Sequence, residues 1–347
     1  MTISIISSMS TRDILINYIK KKKAATGNEL TKLLKISRQA LNKHLKELIN
    51  EGKVIREGTT KGVKYYHADS KKIPLQKFRK TYLLRNLKEH IVFKELDLSL
   101  QLQKKLKKNI FDIIQYTFAK ILNNAIEHSH SKKCFIEAVL EPYKISYIIR
   151  DYGIGIFYSI SKKFGFSDEN EALGELTKGK ITTMPERHTG EGVFFTSKAA
   201  DNVNFRSHNI NLIFNNVKKD TFVEEKKSIQ GTQIGFEIGK NSRRILADIF
   251  NSYAPEEFEY KFQKTKVLVK LFQDKYFSRS EAKRLITGLD KFKELLLDFQ
   301  GVKSISRSFA DEIFRVFQNE HPDIVIKIQN IRPSLQAIIN HMVDNKI

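Results

Sequence analysis

Residues 116–128 read Tyr-Thr-Phe-Ala-Lys-Ile-Leu-Asn-Asn-Ala-Ile-Glu-His. On a helix advancing about 100° per residue, Phe111, Ile114, Phe118, Ile121, Leu122 and Ala125 share one face, and Lys120, Asn123, Asn124, Glu127 and His128 form the opposite stripe. A solvated stripe usually carries Lys and Glu, because Asn is a poor helix former whose amide competes for backbone hydrogen bonds. Two adjacent Asn residues on that stripe point to a ligand.

Working outward, Cys134 to Arg150 reads as two strands meeting at Glu141-Pro142, and Asp151 falls where the second strand ends. Gly153 and Gly155 follow at once. Glycine allows close backbone approach and positive φ, and a carboxylate beside it can accept a hydrogen bond from a base amino group. A DxGxG stretch alone is also what an ordinary strand-end turn looks like.

Taken in order, Asn124-Ala125 with its helix, Asp151-Tyr-Gly153-Ile-Gly155, Thr189-Gly190-Glu-Gly192-Val-Phe and Gly231-Thr232 resemble the motifs of the GHKL superfamily, the ATP-binding domains of gyrase, histidine kinases and MutL-type proteins. The resemblance covers about residues 90–240. It implies a Bergerat-type α/β sandwich binding ATP and Mg²⁺. Asn124 would be the side-chain ligand of Mg²⁺, a hard cation that prefers oxygen, and Asp151 would read the adenine amino group. Gly190 and Gly192 would offer backbone N–H groups to phosphates, with Gly153, Gly155, Gly231 and Thr232 completing the cofactor site. The stretch between Ile156 and Thr189 matches the mobile lid of that superfamily, with Lys178 and Arg187 as phosphate candidates.

One position departs from the pattern. Hydrolytic members place a Glu four residues before the box Asn as general base, and here that residue is Lys120. A protonated Lys cannot accept a proton, and neighbouring phosphates raise its pKa further. Glu127 is the remaining candidate base on the stripe. Lys120 thus marks a kinase, a slow ATPase or a nucleotide sensor.

The net charge of +22 is unevenly spread. Residues 1–70 hold 14 basic against 6 acidic side chains, and residues 71–110 hold 12 against 3. Such concentration is the electrostatic footprint of a nucleic-acid partner. Within it, Thr11–Lys22, Asn28–Leu34 and Ser37–Asn50 read as three helices, with Lys35-Ile36 as the turn and Ser37 as an N-cap. Leu41, Leu45 and Leu48 face inward, whereas Gln39, Asn42, Lys43 and Lys46 project from the other side with Ser37 and Arg38 at the N-terminal tip, the way recognition helices present residues to a DNA groove. Residues 53–66 then give two strands around a Gly- and Thr-rich turn, with Lys64 on the second. Residues 9–68 resemble winged helix-turn-helix domains of bacterial transcription regulators; a small helical protein-interaction domain is the other reading.

Residues 71–105 read as a basic linker and helical connection. The expected organisation is therefore α+β and multidomain: a winged helix at 1–70, the connection at 71–105, a GHKL domain at 106–262 and a small α/β domain at 263–347. In the last, strands and helices alternate, and Leu295 to Ala310 resembles the STAS domain of anti-anti-sigma factors. Ser308 matches the Ser that a GHKL-fold kinase phosphorylates there, although Phe309 stands where Gly is usual. Ser306 or Ser308 would equally serve as a helix N-cap.

One cysteine permits no internal disulfide, and no apolar run approaches 18 residues. These features predict a cytoplasmic protein without a membrane partner. The leading expectation is a homodimeric DNA-binding regulator with an ATP- and Mg²⁺-dependent switch and a C-terminal module for a STAS or sigma-regulatory-type partner. A serine or histidine kinase, an ATPase, and a nucleic-acid-sensing defence protein are the alternatives.

Overall fold

In the computed structural model, the described residues are 10–58, 62–68, 75–166, 168–179, 191–255, 262–271 and 275–344. The chain divides into two compact units. One ends at Lys77, with the short stretches 139–146 and 239–242 grouped with it, and the other holds the remainder.

In the N-terminal unit, α1 (Thr11–Lys22), β1 (Ala25–Thr26), α2 (Gly27–Leu34), α3 (Arg38–Asn50), β2 (Val54–Glu57) and β3 (Lys64–His67) follow in order. The strands form an antiparallel sheet in the order β1-β3-β2. Each helix start is capped within three residues. Ser10 Oγ accepts from Asp13 N–H, Thr26 and Glu29 form a reciprocal capping box, and Ser37 Oγ accepts from Ala40 N–H. Lys35 takes the left-handed conformation that turns α2 into α3. Leu15, Ile19, Leu30, Leu41, Leu45, Leu48 and Val54 fill the core, so the helix-turn-helix and wing expected from the sequence are present.

The second unit begins with β4 (Gln76–Leu83), α4 (Glu89–Leu100), α5 (Leu102–Lys105) and α6 (Lys108–His128). Where the sequence reads a basic linker and helical connection over 71–105, the helical part is present as α4 and α5, and the stretch from Phe78 onward is packed into the second unit. Phe78 and Leu84 are buried, and so are Val92, Phe93, Leu96 and Leu100 on one face of α4; these apolar groups outweigh the basic side chains that make the stretch read as a connection. Then come β5 (Lys133–Leu140), β6 (Lys144–Asp151), α7 (Ile156–Phe164), α8 (Glu169–Lys178), α9 (Glu191–Ala199), β7 (Asn202–Asn215), β8 (Asp220–Gly239) and α10 (Leu246–Tyr253). The five strands form one sheet in the order β4-β5-β6-β8-β7. Helix α6 lies on it through Phe118, whose ring meets Tyr147 edge-on at 5.5 Å, while Tyr147 stacks on Phe236 at 5.0 Å and donates from its hydroxyl to Thr117 Oγ1 at 2.9 Å.

The C-terminal layer comprises β9 (Lys264–Leu268), β10 (Lys275–Tyr276), α11 (Arg279–Ile286), β11 (Glu294–Asp298) and β12 (Ser304–Ile305). Helix α12 (Arg307–Asp311) then runs through a wider turn at Glu312–Phe317 into α13 (Gln318–Glu320), followed by β13 (Val325–Gln329) and α14 (Pro333–Asp344). The strands β13-β11-β9 pair in parallel, and β10 pairs in parallel with β12. Its hydrophobic core is continuous with Phe194 and Phe195 of α9. The rings of Phe194 and Phe262 lie 4.7 Å apart, and those of Phe262 and Phe292 lie 5.3 Å apart. Among the described residues, no helix is long and apolar enough to cross a membrane.

Candidate functional site

The polar stripe of α6 lines one open cleft in which Lys120, Asn123, Asn124, Glu127 and His128 are all present. Ile121, Ala125, Ile149, Ile160, Leu176 and Ile234 supply apolar walls, and Asp151, Gly155, Ser159, Glu191, Gly192 and Thr232 supply polar groups or bare backbone. The cleft is open at its mouth, with about 1020 Å³ of space between and in front of its walls, solvent included. An apolar enclosure with a few converging polar groups fixes orientation through those groups and draws affinity from the walls.

Asp151 is the most constrained of them. It is only 5% exposed, at the end of β6. Its Oδ1 accepts from Gly153 N–H at 2.9 Å and from Thr232 N–H at 3.2 Å. Burial holds its carboxyl above the usual range, and these hydrogen bonds oppose the shift. Thr232 makes a second tie, because its Oγ1 accepts from Ile156 N–H at 2.9 Å and so joins β8 to the first turn of α7.

The glycines explain why Asp151 can sit there. A methyl group on Gly153 would lie 1.7 Å from the Ser129 carbonyl oxygen, and one on Gly231 would lie 2.4 Å from the Asp151 carbonyl oxygen. Gly155 and Gly231 both have positive φ, at 88° and 75°. Gly153 and Gly231 therefore support Asp151 from behind. Gly155 and Gly192 line the cleft itself; a methyl on Gly155 would strike Ser207 Oγ at 2.5 Å, and one on Gly192 would meet the Lys120 stem. Gly190, Thr189 and Arg187 lie outside the described residues.

In the first part of the stretch from Ile156 to Thr189, which the sequence predicts as a mobile lid, the chain carries two packed helices, and residues 180–190 lie outside the described residues. Phe157 and Ile160 of α7 and Ala172, Leu173 and Leu176 of α8 are buried, an apolar spacing hidden in the sequence among Lys, Glu and Ser. Lys178 does not reach toward the cleft. It is 1% exposed, pairs with Glu175, and donates to the Thr287 carbonyl at 2.9 Å. Thr265 Oγ1 donates to the Lys178 carbonyl, and Arg284 pairs with Glu171 at 3.3 Å. The C-terminal layer thus holds α8 as well as α9.

At the second candidate surface, Ser37, Arg38, Gln39, Asn42, Lys43 and Lys64 are all exposed in the N-terminal unit. Arg38 is not free there, since its Nη1 donates to Asn28 Oδ1 on α2.

Residues 10–55 match the family described as winged helix-turn-helix DNA-binding. Residues 281–336 match the family described as a STAS-like domain of unknown function. No curated protein matches the chain. The N-terminal unit is a winged helix of the DNA-binding kind, and the C-terminal layer carries a STAS-like domain.

In the STAS-like domain, Ser306 takes the cap position of α12, its Oγ accepting from Phe309 N–H at 3.1 Å. Ser308 is half-buried and donates to the Phe277 carbonyl at 3.2 Å. Phe309 is fully buried with its ring 4.4 Å from that of Tyr276, so it fills the core where the anti-anti-sigma pattern has Gly.

Sequence reasoning misses two features of the cleft. Glu191, seen there only as part of a glycine motif, lines the cleft. The Ser129 carbonyl accepts from Ile154 N–H at 2.9 Å and clamps the Asp151 turn against the end of α6. The only sequence signal for Ser129 is its place one residue beyond the polar stripe.

Proposed function

We propose that the cleft binds ATP with Mg²⁺ in the manner of a GHKL domain, and that occupancy biases a cytoplasmic, homodimeric DNA-binding regulator whose STAS-like domain engages a protein partner. The observation that carries this reading is convergence. Asn124, Asp151, Gly155, Gly192 and Thr232, spread over more than a hundred positions, line one cleft.

The residues present suit that ligand. A buried carboxylate held in place by the backbone N–H groups of Gly153 and Thr232 has acceptor capacity suited to a base amino group. Among the described residues no three His, Cys, Asp or Glu converge as a metal cage. A Mg²⁺ held by Asn124 would therefore draw most of its oxygens from phosphates and water, as this ion commonly does. When bound, it would neutralise phosphate charge. Asp151 would orient the base, the apolar walls would exclude water from it, and Lys120 and Gly192 would face the anionic end. A ligand shifts a conformational equilibrium by its differential affinity for the two states, and no hydrolysis is needed for that.

Titration calorimetry with Mg-ATP tests the reading. The wild-type chain binds, and Asp151→Asn and Asn124→Ala lose binding while their melting curves stay cooperative. Unchanged affinity in both variants would sink the assignment. Incubation with γ-labelled ATP separates the catalytic alternatives: label on the protein marks a kinase, released phosphate an ATPase, and neither the switch.

A further inference from the structure

We infer that Lys120 binds the terminal phosphate of the nucleotide, so that the cleft distinguishes a nucleoside triphosphate from a diphosphate. This inference rests on the nucleotide reading above and assigns a positive role to the residue standing where a general base would be.

Three observations carry it. First, Lys120 lines the cleft on the same stripe as Asn124, one helical turn away. Secondly, its aliphatic stem runs beside Gly192, where an added methyl would meet Lys120 Cδ at 3.4 Å. That packing directs the side chain along the cleft wall beside bare backbone. Thirdly, its ammonium rests over an aromatic face, with Nζ 5.8 Å from the centre of the Tyr116 ring, and has no carboxylate partner among the described residues. An exposed lysine at a functional cleft, without an acidic partner, is available to an anion.

Helix geometry places it at the correct end. The turn bearing Asp151 is fixed against the C-terminal end of α6, one residue beyond the stripe, by the Ser129 carbonyl. From Ser129 back to Lys120 is nine residues, about 13 Å along the helix at about 1.5 Å per residue. With the base at Asp151, a sugar and a phosphate chain span that distance, and the last phosphate meets Lys120. A Glu there would repel the phosphate and orient water. The ammonium attracts the phosphate and, with three donors and no acceptor, cannot take a proton from water. Lys120 therefore adds affinity for the triphosphate and withholds the base, which holds the ligand in place instead of consuming it.

The test compares calorimetric affinities of the full chain for Mg-ADP and for the magnesium complex of the β,γ-imido analogue of ATP. Wild type binds the triphosphate analogue more tightly. Lys120→Met keeps the stem and its packing, weakens the analogue by about tenfold, the scale of one missing charge-assisted hydrogen bond, and leaves Mg-ADP within about twofold. Lys120→Arg retains the preference. An unchanged ratio in Lys120→Met, an equal fall for both nucleotides, or a wild type that binds both equally overturns this assignment and leaves the nucleotide reading standing. A wild type that binds neither overturns both.

Discussion

In the winged helix, Gln39, Asn42 and Lys43 stand in solvent on a helix whose start is capped three residues away and whose core lies within about fifty residues of chain. In the cleft, Asp151 is held by Gly153, by Thr232 from a strand eighty-one positions later, and by a turn clamped to Ser129. The first surface can change its polar residues without disturbing its scaffold. The second has scaffold and function in the same atoms, so a substitution there acts on both.

The largest effect should separate the two regions with one substitution type. Gly153→Ala drives a methyl into the Ser129 carbonyl oxygen and should cost about 3 kcal/mol or more, the scale of overpacking and forced backbone shifts. Gly52→Ala, in the winged helix, meets nothing within 4 Å and carries only the burden of its φ of 70°, about 1 kcal/mol. Denaturant unfolding of both variants checks this, and equal costs would break the contrast.

Next comes a variant in which stability and binding move in opposite directions. Burial keeps the Asp151 carboxyl above its usual range, so ionising it costs the fold as pH rises. Asp151→Asn should abolish nucleotide binding yet melt no lower than wild type near neutral pH. Any gain in stability should vanish in acid, where wild type is protonated in both folded and unfolded states. Melting curves across pH, paired with titration, read both quantities.

On the winged helix, Arg38→Ala with Lys43→Ala should leave nucleotide binding unchanged and lower the slope of log affinity for DNA against log salt by about 2, roughly 0.9 for each phosphate that is no longer neutralised. A fragment of residues 1–70 that fails to bind DNA at low salt would remove the DNA surface from the comparison altogether.

The smallest effect concerns the junction between α9 and the STAS-like domain. The Lys198 ammonium lies 4.8 Å from the centre of the Phe194 ring and 6.0 Å from those of Phe214 and Tyr253. Burial, with Lys266 adding to it and Asp298 opposing, pulls its pKa from 10.5 down to about 8. Between these values the folded state releases a proton that the unfolded state keeps, so the stability owed to Lys198 rises with pH through that window. Lys198→Met should therefore melt slightly higher than wild type near neutral pH and lose that gain by about pH 10.5.

The winged helix is readable in the sequence because its determinants are local: Ser37 caps α3, Lys35 turns the chain, and the Leu41, Leu45 and Leu48 spacing marks one face. The stripe of α6 and the alternating strands around Pro142 are readable for the same reason. Strand β4 is hidden because only Phe78 and Leu84 anchor a segment dominated by Lys and Arg. Helices α7 and α8 are hidden because the sequence between Ile156 and Lys178 is polar on average, and averages conceal a buried stripe. Lys178 misleads for a related reason: its Glu175 partner is local, one turn back on the same helix, but only the tertiary structure supplies the Thr287 carbonyl and the burial that hold it inside. Phe194 and Phe195 look like the tail of a glycine motif, and the rings they meet, Phe250, Tyr253 and Phe262, lie far along the chain.

Those two rings mean that the point where the sequence changes texture, near residue 263, is not a place where the protein can be cut. A chain ending there would keep Phe250, Tyr253 and Phe262 against Phe194 and Phe195, on the helix that begins with Glu191 and Gly192 at the cleft, but would lose every core residue from Val267 onward that completes the cluster. Such a truncated product would be prone to aggregate, and loss of nucleotide binding by it would report damage to the wall of the cleft. The STAS-like domain can therefore be inherited, expressed or exchanged only together with the helix that completes its core.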